Sequence, residues 1–376
     1  MEFGLFNSLH MPKRVTGGGP PDTEHQRLRA EIDLVCAADR VGFKYTWATE
    51  HHFLEEYSHL SSNESFLAYL AGVTERIHLG SGIFNITPPV NHPARIAERA
   101  AMLDHLSNGR FELGMGRGSS STEQQGFGIT DPALTREMFD EVVAELPKMW
   151  REGLYQHEGR FFSLPPRNVL PKPYTDPHPP LWVAAGNPAT FEKAARMGLG
   201  VLCFGHGTPD ELAPLIEVYK KNIEKAEPVG GYVNNNVMVT SQMMCLPDGA
   251  RARETALDMS MSRLQSLVYR YLDTFPKPKH VPDWPELLPE VTPDLLELAI
   301  TNGYVIVGDP EECARSVQSY VDIGADQLVF GVLSSALTRE LAIESVETFG
   351  RHVLPRFDTD PVHSTTRQRQ AQVGGA

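Results

Sequence analysis

The sequence predicts a (β/α)₈ TIM barrel. Eight short apolar runs alternate with longer helical stretches, the pattern of a parallel sheet built from strand–helix units. The chain has 376 residues, and such a barrel takes roughly 250, so insertions can be accommodated. The expected strands are residues 2–6, 45–50, 77–83, 111–116, 181–185, 200–204, 237–245 and 327–332. The expected helices are residues 25–41, 64–74, 93–106, 135–152, 188–197, 209–227, 250–271, 310–323 and 338–353. Several boundaries are written chemically. Asn187-Pro188, Thr208-Pro209 and Asp309-Pro310 each set a capping residue before a proline suited to the first helical position. Gly42, Gly109, Gly198 and Gly324 follow helices and suit a left-handed closing residue.

Two stretches interrupt the alternation. Residues 155–180 are rich in proline and aromatics and read as an excursion before the fifth strand. Residues 272–293 hold six prolines among acidic and aromatic residues and read as a lid or insertion at the C-terminal face. Long loops at that face usually carry function. The polar tail, residues 358–376, is expected to be disordered. The domain expectation is therefore one barrel over residues 1–357, an insertion near 272–293, and a tail.

A net charge of −14 argues against a general affinity for nucleic acid or anionic membranes. It leaves room for an anionic ligand in a local arginine pocket. Four cysteines, Cys36, Cys203, Cys245 and Cys313, stand far apart in sequence and suggest no disulfide framework. The opening residues MEFGLF lack a basic region followed by a long apolar run, and no segment has 18 uninterrupted apolar residues. The expected location is the cytoplasm.

Barrel enzymes act at the C-terminal ends of their strands, so the strand ends are where catalytic residues are expected. The second ends in Glu50-His51-His52. Neighbours on a strand point to opposite faces, so the two histidines cannot both line one site if the strand is regular to that point. With no His-x-His or Cys-x-x-Cys pair in the chain, no metal site is expected. The fourth strand ends in Gly114-Met115-Gly116-Arg117-Gly118-Ser119. This is not a dinucleotide fingerprint, because no helix is expected directly after it and no acidic residue follows at the matching distance. Its glycines allow close backbone approach, and Arg117 supplies a fixed cation. After the fifth strand, Gly186, Asn187 and Thr190 open a helix whose free N–H groups favour an anion. Arg136 is a second candidate cation. Tight turns account for the glycines equally well, and a surface ion pair would account for Arg117. Together the residues suggest a grip on a monophosphate.

At these positions the sequence resembles the bacterial luciferase-like flavin-dependent monooxygenases. The resemblance is an ordered series rather than one motif. It runs through residues 1–6 (MEFGLF), 42–53 (GFKYTWATEHHF), 78–83 (HLGSGI), His92-Pro93, 103–118 (LDHLSNGRFELGMGRG), 181–190 (LWVAAGNPAT) and 307–313 (VGDPEEC). It implies a barrel with FMN at the strand C-termini and His51 as the catalytic histidine. It implies that Arg117, Arg136, Gly186, Asn187 and Thr190 hold the flavin phosphate. It implies a non-proline cis peptide at Gly82-Ile83 supporting the flavin ring, with Phe204 beside it. Gly116 stands where luciferase itself has a reactive cysteine, so light emission is not expected.

The activity implied is oxygenation of a small hydrophobic organic substrate by reduced FMN and molecular oxygen, by way of a flavin hydroperoxide. No nicotinamide fingerprint is visible, so a separate NAD(P)H:flavin reductase is expected to supply the reduced FMN. His10, Met115 and the 272–293 insertion are the candidate substrate contacts. A homodimer is the default assembly. The rival readings are a deazaflavin-dependent hydride transferase of the same fold and a non-catalytic flavin-binding protein.

Overall fold

The computed structural model describes residues 1–11, 22–204, 207–259, 261–274, 277–279, 281–332 and 337–374. Eight parallel strands close on themselves. They are β1 (Glu2–Asn7), β2 (Tyr45–Ala48), β3 (His78–Ser81), β5 (Phe111–Gly116), β8 (Leu181–Ala184), β9 (Gly200–Cys203), β10 (Val237–Cys245) and β12 (Gln327–Gly331). They pair in that order, and β12 returns to β1 to complete the barrel. All eight fall on the runs expected from the sequence. The short β4 (Phe84–Asn85) adds to β5, and β11 (Val305–Gly308) adds outside the ring to the end of β10.

Strand parity divides the core. Phe3 and Leu5 on β1, Leu79 on β3 and Leu113 on β5 belong to the layer between strands and helices. The intervening residues fill the barrel: Tyr45, Trp47, Trp182, Leu202, Met238 and Val329 form a separate buried cluster. Trp47 and Trp182 meet edge to face with centroids 5.2 Å apart. Glycines on neighbouring strands make room for them. A Cβ on Gly80 would stand 2.2 Å from the Trp47 ring, and one on Gly200 would stand 2.5 Å from that of Trp182.

The expected helix caps are present. Asn187 accepts the Thr190 N–H, and Thr208 and Asp309 form complete capping boxes with Glu211 and Glu312, each worth about 1 kcal/mol. Gly42, Gly109, Gly198 and Gly324 all have positive φ.

Four local expectations are corrected. Residues 250–271 do not form one helix; they form α8 (Gly249–Asp258) and α9 (Met261–Tyr271), which lets α9 turn over the barrel mouth. A helix does follow the β5 glycine run: α4 (Ser121–Gly126). A further helix (Pro293–Thr301) precedes β11. Finally, the tail is ordered through a helix, α13 (Ser364–Val373). Its composition is polar because its partners are polar. Gln368 and Gln372, one turn apart, each exchange donor and acceptor with the backbone of Asn235 and Val233. The residues before and at its start close the N-terminal end of the barrel. His363 stacks on His78 with centroids 3.6 Å apart. Ser364 N–H donates to Glu2 at 2.9 Å, and Thr365 hydroxyl donates to Glu112 at 2.7 Å.

Candidate active site

A cavity of about 740 Å³ opens at the C-terminal ends of the strands, and every barrel strand or the turn after it contributes lining. The end of β2 delivers Glu50, His51 and His52 in three directions. His51 faces the cavity and its Nδ1 lies 3.2 Å from Glu123 Oε1. His52 turns away to Glu50, with 3.1 Å between Nε2 and Oε1. Glu50 also accepts from Asn91 at 3.0 Å and is thereby held in the wall. Among the described residues, no group of three or more His, Cys, Asp or Glu is arranged to hold a metal ion.

Glu123 was not anticipated from the sequence. It is buried on α4, and its Oε1 also accepts the His52 N–H at 2.7 Å. The ring edge of His51 meets Tyr57 at 5.2 Å between centroids. Burial, and then the Glu123 charge, hold the Tyr57 phenol protonated well above its ordinary range. A signal for α4 was present: Ser120 and Glu123 spell the S-x-x-E of a capping box.

The cation pair lines the same cavity. Arg117 donates to Thr135 at 2.9 Å. Among the described residues neither Arg117 nor Arg136 has a carboxylate partner, although both line the cavity. Burial, and then the Arg136 charge, pull the Arg117 pKa below the ordinary guanidinium value. The two cations therefore repel each other, with no carboxylate partner among the described residues. Gly186, Asn187 and Thr190 line the same region at the N-terminus of the helix Pro188–Arg196.

Gly82, Ile83 and Phe204 also line the cavity, and the Gly82-Ile83 peptide is cis. Gly82 N–H donates to the Ala48 carbonyl at 2.7 Å. Asn63 donates to the carbonyls of Ala48 and Ile83 at 3.1 and 3.3 Å, which fixes this wall from behind. A Cβ on Gly116 would stand 2.7 Å from the Ile83 side chain.

Two candidate substrate contacts lie elsewhere. Met115 is fully buried between strands and helices, because parity turns Gly114 and Gly116 inward and Met115 outward. His10 is buried and outside the lining. The chain after Ser8 is stitched to residues 56–59 through the Leu9 carbonyl and Met11 N–H, which carries His10 behind the wall. Burial, and then Arg27, push its pKa down to about 4. In their place, α9 lies over the mouth with Leu264, Gln265, Val268 and Tyr269, followed by Leu272 and Thr274. Gln242 on β10 also lines the cavity. Residues 275–276 and 280 of the insertion lie outside the described residues.

The profile of the luciferase-like monooxygenase family matches residues 1–327. The chain belongs to that family. It is 27% identical over 379 residues to the oxygenase component of the flavin-dependent trigonelline monooxygenase of Acinetobacter baylyi, covering 96% of this chain and 97% of that one. It is 28% identical over 305 residues to an F420-dependent glucose-6-phosphate dehydrogenase of Kineococcus radiotolerans, covering 79% and 85%. In structure it is similar to the oxygenating constituent of 3,6-diketocamphane monooxygenase of Pseudomonas putida, in complex with FMN. That similarity has a TM-score of 0.77 at 18% identity, covering 95% and 98% of the two chains. Family members are thus flavin-dependent monooxygenases and F420-dependent enzymes on one barrel.

Proposed function

We propose that the protein is the oxygenase component of a two-component monooxygenase that takes reduced FMN from a separate reductase. The observation that carries this reading is the uncompensated Arg117–Arg136 pair sharing one cavity with the His51–Glu123 pair. A partly buried Arg117 and an exposed Arg136, neither with a carboxylate partner among the described residues, beside a helix N-terminus fit a phosphate monoester. The Gly82-Ile83 wall and Phe204, which line the cavity, fit the flat face of an isoalloxazine. The related oxygenase component from Acinetobacter baylyi and the FMN complex of the structural neighbour support the same assignment.

Reduced flavin supplies the oxygen activation when bound. The chain does the rest. Arg117, Arg136 and the N–H groups at the start of the Pro188–Arg196 helix bind and orient the phosphate. Glu123 accepts from His51 Nδ1, which presents Nε2 to the cavity as the proton donor and acceptor. Leu264, Val268 and Leu272 give the mouth an apolar roof that excludes water and suits a small hydrophobic substrate.

The deciding experiment is an anaerobic titration with reduced FMN and, separately, reduced F420, followed by admission of oxygen. The expected result is saturable binding of reduced FMN and reoxidation slower than that of free reduced FMN. Binding of F420 alone would move the protein to the hydride transferases. Arg117→Ala is expected to raise the FMN Kd roughly 10- to 100-fold, the weight of one charge-assisted contact. The apo variant should be no less stable than the parent, because the change relieves the repulsion with Arg136. Parallel calorimetry and flavin titration check both halves.

A further inference from the structure

The helix that carries Glu123 is not capped by its own residues. Ser120 and Glu123 are spaced for a capping box, yet Ser120 makes no side-chain cap and its buried hydroxyl has no partner. Glu123 is turned instead to His51 and the His52 N–H. The cap comes from Asp273, 152 residues further along the chain, which accepts both the N–H of Ser121, at 2.8 Å, and its hydroxyl. Thr274 adds two donors to the Ser119 carbonyl, from its hydroxyl at 2.9 Å and its N–H at 3.3 Å. These two residues come one residue after the end of α9, the helix over the cavity mouth. Near its other end, Arg263 donates twice to Glu56, at 3.0 and 2.6 Å, on the loop that leads away from His51.

We propose that Asp273 is a positioning residue for the His51–Glu123 pair: by capping α4 from the end of α9, it makes seating of the cavity roof set the carboxylate that orients the histidine. The helix has given up its own capping groups, so its placement depends on the roof. A substrate seated under Leu264 and Val268 would bear on α9 and, through Asp273, on the ring it is to react beside. A short helix of six residues cannot hold its geometry without tertiary support.

This proposal rests on the oxygenase reading for its catalytic consequence, but its structural core can be read without turnover. The experiment is ¹⁵N NMR of the His51 imidazole in the apo protein, for the parent, Asp273→Ala and Asp273→Asn. The parent should show one dominant neutral tautomer, with the proton on Nδ1. In Asp273→Ala the tautomer ratio should fall, by about fivefold if the full weight of one helix cap reaches the carboxylate. Asp273→Asn, which keeps an acceptor for the Ser121 N–H, should restore most of it. In the oxygenase assay, product formed per oxygen consumed should fall in the same order, with the FMN Kd unchanged. An unaltered tautomer ratio in Asp273→Ala would overturn the proposal, as would failure of Asp273→Asn to restore it. Absence of oxygenation by the parent would defeat the oxygenase reading alone, and the NMR comparison would still decide the coupling.

Discussion

Replacing His51 with alanine is expected to lower coupled oxygenation by about 10²- to 10⁴-fold, the range contributed by one positioned acid–base group. The flavin Kd should stay nearly the same. The two effects separate because His51 and the arginine pair are distinct parts of one cavity lining. His51 engages Glu123 through Nδ1 and has no part in the phosphate grip. An imidazole can both give and take a proton near neutral pH, whereas alanine can do neither. Oxygen uptake should continue in the variant, with the product replaced by hydrogen peroxide. The check is a paired measurement of oxygen consumed and product formed under saturating reduced FMN. Equal product yield in variant and parent would remove His51 from the reaction.

Ending the chain after Phe357 is expected to destabilise the folded protein by about 3–5 kcal/mol, the usual cost of stripping partners from buried charges. For a chain of this length that corresponds to a midpoint lower by about 5 °C. The truncation removes Asp358 from Lys44, Ser364 from Glu2 and Thr365 from Glu112. It also exposes His78, which loses its stacked partner. The same network sets a pH signature. Burial raises Glu112 to about 8, so folding favours its protonated form. That contribution is full below its unfolded pKa of about 4.5 and is lost as pH rises toward 8. Burial lowers His78 to about 3 and His363 to about 2, so folding favours their neutral forms. Their contribution is full above about 6.5 and is lost as pH falls below it. Calorimetry across pH 4–9 should show both slopes in the parent and shallower ones in the truncated chain, whose barrel floor is open to water. An unchanged midpoint and pH profile would mean that the tail contributes nothing.

The eight barrel strands, the proline-marked helix starts and the glycine helix ends were all legible in the sequence. Each is a local matter: a buried parallel strand needs a continuous apolar run, and a cap needs its donor or acceptor within a turn. Parity at Glu50-His51-His52 also predicted that the two histidines diverge, but β2 ends at Ala48, and it is Glu123 and Glu50 that hold the two rings apart. Met115 was misplaced although the same parity argument applied to it. The flanking glycines have no side chain to mark which face is inward, and only the barrel shows that Gly114 and Gly116 take it.

What the sequence could not supply lies in contacts between distant segments. Glu123 is 72 residues from His51, and nothing local distinguishes it from a capping glutamate. Asp273 caps a helix 152 residues away, where no spacing rule reaches. The tail reads as disordered because its composition cannot form an apolar face. Its partners are instead the exposed backbone at Val233 and Asn235 and the carboxylates at the barrel floor. The sequence determined the barrel and the strand ends that line its cavity. Tertiary structure alone decided which carboxylate meets His51, what seals the floor and which residues roof the cavity, because each depends on polar groups whose partners are set by where the chain returns.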